Sequence, residues 1–209
     1  METKMQKNQW TIENITQEYY LPIAVGAFLT DRKSQNMAKG TLYFYRMKLK
    51  LFSDFCETQL IKSIDQITPD LIRQYLFYLE QAGHNPGGIH ACYRTLKTFL
   101  FWWEQEYEPD DWKNPIRKVK APKVAQEPLD PIERADFDAL LQTCGKSWHD
   151  TRDKAILLTL LDSGVRAAEL CALNLADLDT ANSMLEVRQG KGRKPRVTFI
   201  GAQTRRAIR

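Results

Sequence analysis

Apolar residues recur at intervals of three and four through the first half of the chain, and this recurrence predicts helices. Leu42, Tyr45, Leu49, Phe52 and Phe55 form one stripe, which marks a helix over TLYFYRMKLKLFSDFCE with Thr41 as its cap. Thr68-Pro69-Asp70 supplies an N-cap, a proline at the first helical position and an acid in the first turn. That helix runs to a stop at Gly83. Another follows Asn85-Pro86, with Ile89, Tyr93, Leu96, Leu100 and Trp103 along one side. A weaker helical signal spans residues 18–30, where Pro22 and Gly26 lower the propensity, and leads into a polar turn, DRKSQN. Tyr43, Tyr45, Phe99, Trp102 and Trp103 fall at helical spacing, which makes them core rather than stacking platforms. Residues 1–17 are polar and read as a flexible N-terminus. Residues 18–112 are then a four-helix domain whose packing ends near Glu108.

The pattern changes after residue 112. Prolines at 115, 122, 128 and 131 punctuate residues 113–130, which read as an extended, semi-rigid linker that excludes helix. A second domain, 131–209, opens with a helix start at Asp130-Pro131. A buried helix, TRDKAILLTLLDSG, follows and breaks at Ser163-Gly164, and Arg166 opens the next, RAAELCALNLADLD. MLEVRQ and RVTFI read as strands joined by the turn GKGRKP, and a final helix starts at Ala202. The fold class is mainly α, with a helical domain first and a mixed α+β domain with a small hairpin second.

A formal net charge of +4 says little about partners, but its distribution says more. Lys113, Arg117, Lys118, Lys120 and Lys123 lie in a stretch without acids. Arg188, Lys191, Arg193, Lys194, Arg196, Arg205, Arg206 and Arg209 follow Glu186, again without an acid. Such concentration suits contact with a polyanion, although a solvated loop and a solvated end look the same. Cys56, Cys92, Cys144 and Cys171 form no CxxC pair and read as reduced core residues rather than a metal site. The N-terminus lacks the apolar stretch of a signal peptide, and no apolar run is long enough for a membrane span, so a cytoplasmic protein without a membrane partner is expected.

Two groups carry candidate chemistry. Arg166 stands at a helix start, where its planar fork can meet a phosphate beside helix N–H groups, and Glu169 lies three residues on and can orient it. Lys191, between Gly190 and Gly192 at a hairpin tip, can give a proton to a leaving oxygen. Taken singly, the first is also an ordinary helix-start salt bridge and the second a solvated basic turn.

Together, in this order, the segments resemble the tyrosine recombinases, the phage-integrase and Xer-like site-specific recombinases. The resemblance rests on Ser163-Gly164-Val165-Arg166-Ala167-Ala168-Glu169-Leu170, on Leu173 to Asp177, and on Gly190-Lys191-Gly192-Arg193-Lys194-Pro195-Arg196. Asn114-Pro115, Ala121-Pro122-Lys123 and Leu129-Asp130-Pro131 match the family's linker. Ser163, Val165 and Phe199 depart from the usual threonine, leucine and proline without altering a reacting group. The upstream helices resemble the family's SAM-like core-binding domain.

The resemblance implies a tyrosine that attacks a DNA phosphate, giving a 3′-phosphotyrosine and a free 5′-hydroxyl, with no cofactor. It makes Arg166 a catalytic arginine, Glu169 its acidic companion and Lys191 the general acid. It also implies double-stranded DNA as partner, with tetramers on paired sites. Lys39, Arg46, Lys48 and Lys50 on one helix, His90, Arg94 and Lys97 on another, linker residues Arg117, Lys118, Lys120 and Lys123, and Arg193 and Lys194 of the hairpin are then the DNA contacts. The family's H-x-x-R motif and nucleophilic tyrosine should follow the hairpin, yet no His, Trp or Tyr follows Lys191 here. The chain is therefore expected to be an inactive fragment with impaired assembly, either a truncated recombinase or a DNA-binding module that competes with an intact one. With part of a catalytic domain missing, apolar surface around AILLTLLD should be exposed and the second domain should be the looser.

Overall fold

The computed structural model describes residues 19–125, 130–188 and 194–209. The expected flexible stretch 1–17 and the hairpin tip carrying Lys191 and Arg193 lie outside them. The chain divides into two compact units, Met1–Glu127 and Pro128–Arg209.

In the first unit, α1 spans Leu21–Ser34. Pro22 sits in its first turn, where the missing N–H would be unpaired anyway. The helix continues into the segment expected to be a turn, because Arg32 and Lys33 complement its C-terminal dipole and Arg32 lies 5.1 Å from the Phe28 ring centroid. Helix α2, Lys39–Thr58, starts earlier than its sequence signal. Ala38 is the cap, and the Thr41 N–H already donates to the Ala38 carbonyl at 2.9 Å, so Thr41 is not the cap. Helix α3, Pro69–Gln81, begins as predicted, with Thr68 Oγ1 accepting from the Leu71 N–H at 3.1 Å. It stops before Gly83, whose φ of +82° suits glycine. Helix α4, Pro86–Tyr107, is capped by Asn85 Oδ1 on the Gly88 N–H at 2.6 Å.

These helices enclose Phe28, Leu49, Phe52, Tyr75, Leu96, Phe99, Leu100 and Trp103, all fully buried. Phe28 meets Phe99 and Trp102 edge-on at 5.6 and 5.3 Å. Tyr43 is not part of this core: it is 65% exposed. Packing continues beyond Glu108. Asn114 caps a 3-10 turn at Pro115–Lys118, Ile116 and Val119 are buried, and the Tyr93 hydroxyl donates to the Val119 carbonyl at 2.7 Å. Part of the segment read as extended linker is thus a folded turn, since a proline suits the first position of such a turn.

In the second unit, α5 covers Arg134–Gln142 and starts after Glu133 rather than at Asp130-Pro131, leaving Ile132 exposed. Helix α6, Trp148–Ser163, opens with a capping box between Ser147 and Asp150. It is not the buried helix its apolar run suggests: Leu158 and Thr159 are buried, but Ile156 and Leu161 reach solvent. Gly164 ends it in the left-handed region, φ +59°. Helix α7 is short, Ala167–Cys171, and gives way to a 3-10 turn at Leu175–Asp177, where the Asn174 N–H donates to Asp177 Oδ2 at 2.8 Å. The expected long helix from Arg166 is therefore replaced by this turn and strand β1, Leu178–Asp179.

Strands β2, Met184–Val187, and β3, Arg196–Phe199, complete an antiparallel sheet ordered β1-β2-β3, with Val187 opposite Arg196. Helix α8, Ala202–Ile208, is tied to α6 by Asp162, which accepts from the Gly201 N–H at 2.5 Å and from the Thr204 hydroxyl. Val165, Leu185, Val187 and Ile200 form a small core, and an open groove of about 680 Å³ is lined by Trp148, Ile156, Leu173, Leu175 and Ile208, among others. Cys56 and Cys92 are buried, whereas Cys144 is half-buried and Cys171 exposed, so the core reading holds only for the first two. Among the described residues, no helix is long and apolar enough to cross a membrane.

Candidate functional site

Gly164 turns the chain out of α6, and the two residues after it place Arg166 at the N-cap of α7 with extended backbone, φ −75° and ψ 153°. Glu169, one turn on, folds back beneath it. Its Oε2 accepts the Arg166 N–H at 2.9 Å and its Oε1 accepts Arg166 Nη1–H at 2.7 Å. The Arg166 backbone N–H is therefore taken by Glu169, while its guanidinium reaches solvent. The Arg166 side chain is 59% exposed and that of Glu169 only 4%.

A third residue, unassigned by the sequence reading, completes the cluster. Arg196 on β3 donates Nη1–H to Glu169 Oε1 at 3.1 Å and Nη2–H to Oε2 at 2.7 Å. These hydrogen bonds, Arg196's first, hold the Glu169 carboxyl well below the usual carboxylate range, and Glu169 in turn raises Arg196. Beside this cluster Asp177, also buried, forms an ion pair through Oδ1 with Arg188 Nε at 2.6 Å, without hydrogen-bond alignment. Lys194 is exposed.

The first unit sorts the remaining basic residues. His90, Arg94, Lys97 and Phe101 follow one another along one stripe of α4, opposite its buried face. Arg94, Lys97 and Thr98 share an open cleft with Gly40, Thr41 and Phe44 of α2, and Lys48 Nζ lies 5.9 Å from the Phe44 ring centroid. Arg117 joins this stripe: it stacks 4.6 Å from the Phe101 centroid, as Lys97 does at 5.8 Å, and pairs with Glu104 at 2.9 Å. The structure separates Lys39, Arg46 and Lys50 from that cleft. At about 100° per residue they fall on the far flank of α2 from Phe44 and Lys48, and Lys50 is held by Asp54 at 2.8 Å. Lys118 and Lys120 gather instead with Arg73, whose Nη2–H donates to the Lys118 carbonyl at 3.1 Å. Arg73 has no local sequence signal that singles it out; its place beside Lys118 comes from the fold. Lys123 is exposed.

Residues 27–107 match the phage integrase N-terminal SAM-like domain, and residues 131–209 match the phage integrase family. The chain belongs to the phage integrase family. It is 30% identical over 182 residues to tyrosine recombinase XerC of Halalkalibacterium halodurans, which covers 85% of this chain and 58% of that protein. Tyrosine recombinase XerD of Staphylococcus saprophyticus is 29% identical over 169 residues, 80% of this chain and 56% of its own length. The chain thus spans a little under three-fifths of these family members. Two solved structures share its fold. The Tn1549 transposon integrase in complex with transposon right end DNA matches with a TM-score of 0.70 at 18% identity, over 90% of this chain and 63% of that one. A lambda integrase tetramer bound to a Holliday junction matches with 0.73 at 16% identity, over 89% and 52%.

Proposed function

We propose that this chain is the DNA-gripping portion of a tyrosine-type site-specific recombinase, and that Arg166 meets the phosphate at which strands are cut and rejoined. One observation carries the reading: in a member of this family, an exposed guanidinium is held from beneath by a buried carboxylate that accepts hydrogen bonds on both oxygens. Glu169 fixes the direction of Arg166, and the open part of the fork is free to pair with phosphate oxygens and to stabilise the charge that builds on them. Lys191 is assigned the proton delivered to the departing 5′ oxygen. The α4 stripe of Arg94, Lys97 and Arg117 contacts the DNA backbone, with Lys118, Lys120 and Arg73 as a second backbone contact.

Residues 192–209 contain no tyrosine, so these 209 residues are assigned the grip and not the nucleophile. A nicked duplex that traps phosphotyrosine links tests both statements. Retardation of the duplex without an SDS-resistant band is expected. No retardation at micromolar protein would overturn the grip, and an SDS-resistant band would overturn the missing nucleophile.

A further inference from the structure

Each oxygen of Glu169 receives two donors: Arg166 Nη1 and Arg196 Nη1 on Oε1, and the Arg166 N–H and Arg196 Nη2 on Oε2. A carboxylate facing a single arginine is ordinarily taken by a two-pronged fork. Here Arg196 holds that two-pronged position and leaves Arg166 one side-chain bond to Glu169. The rest of the Arg166 guanidinium makes no ion pair among the described residues. The count of charges points the same way: two guanidinium groups against one carboxylate leave the cluster at +1, which favours an anion.

We propose that Arg196 is the positioning residue for Arg166. It saturates Glu169, and Arg166 is thereby prevented from turning its fork inward and stays open to a phosphate. Without Arg196, the vacated oxygen positions would draw both prongs of Arg166 onto Glu169, and the pair would be neutral. Arg196 can do this because β2–β3 pairing places it opposite Val187, with its side chain on the side of Glu169. The inference rests on the phosphate reading of Arg166.

The test uses the full 209-residue chain labelled with ¹⁵N-arginine, with the Arg166 Nε–Hε resonance identified by its loss in R166K. A duplex oligonucleotide is titrated into wild type, R196Q and R196K, with thermal melts reporting folding. In wild type the Arg166 resonance shifts on adding duplex. In R196Q it moves before duplex is added, as the fork turns onto Glu169, and the affinity read from it falls roughly tenfold, the scale of one charge-assisted hydrogen bond. R196K keeps the charge but lacks the fork, so it restores only a minor part of that affinity. If R196Q does not fold, R196K carries the same prediction. Wild-type behaviour of the Arg166 resonance in R196K overturns the positioning role. A wild-type Arg166 resonance that ignores duplex while other arginines respond overturns instead the phosphate reading beneath it.

Discussion

Replacing Arg94, Lys97 and Arg117 with glutamine is the sharpest perturbation of the proposed DNA grip. Arg94 and Lys97 stand on the α4 stripe, and Arg117 is fastened to it by Phe101 and Glu104, so all three present charge to one surface. Each cation that neutralises a phosphate contributes about 0.9 to the slope of log affinity against log salt on duplex DNA. The triple variant should therefore flatten the slope by about 2.7, and each single variant by about 0.9. Fluorescence anisotropy with a labelled duplex between 50 and 200 mM salt, on the order used for such slopes, measures this. The comparison that gives the test force is R46Q/K50Q. Those residues occupy the far flank of α2 from the cleft that Phe44 shares with α4, so the slope should not change. Equal flattening by the two sets would refute the assignment of the α4 stripe as the contact face.

Four further outcomes are expected. Trp103→Ala, at a fully buried core position, should cost about 3–5 kcal/mol and lower the melting temperature of the first unit. Gly164→Ala should cost about 1–2 kcal/mol through the left-handed backbone alone, since an added methyl group there would meet nothing within 4 Å; calorimetry of the second unit reads it. Glu169 is held below its ordinary value of 4.5 in the folded state, so its stabilising contribution is complete above that value and is lost as pH falls below it; acid titration of wild type should show a loss absent from E169Q. A thiol reagent should label Cys171 in the native protein, while Cys56, buried and pushed up to about 12, should react only on unfolding.

The helices that announce themselves through local chemistry were legible. Thr68-Pro69-Asp70 and Asn85-Pro86 each combine a capping side chain with a proline where one is tolerated, and α3 and α4 start there. Thr41 has the same capping chemistry but misleads, because the chain at Lys39 and Gly40 is already helical. The apolar run of α6 reads as buried, yet periodicity reports only that a residue is apolar and not what covers it; Ile156 and Leu161 stay 36% and 47% exposed. At the candidate site, Arg166 and Glu169 were readable as neighbours on one turn. Arg196 was visible as the last residue of its motif, but its partnership with Glu169 depends on strand register across 27 residues, which no local pattern encodes. The candidate DNA contacts divide for the same reason: charge identifies them, and only helical phase within the fold places Lys97 and Lys50 on different surfaces.

The central claim, that Arg166 meets DNA phosphate, is tested most directly by duplex affinity in R166A and R166K at fixed salt. R166A, shown by thermal melt to be folded at the assay temperature, should bind roughly tenfold more weakly than wild type, the loss of one charge-assisted bond, and R166K should fall between them because its ammonium keeps the charge without the fork. Equal affinity of R166A and wild type for duplex DNA would contradict it.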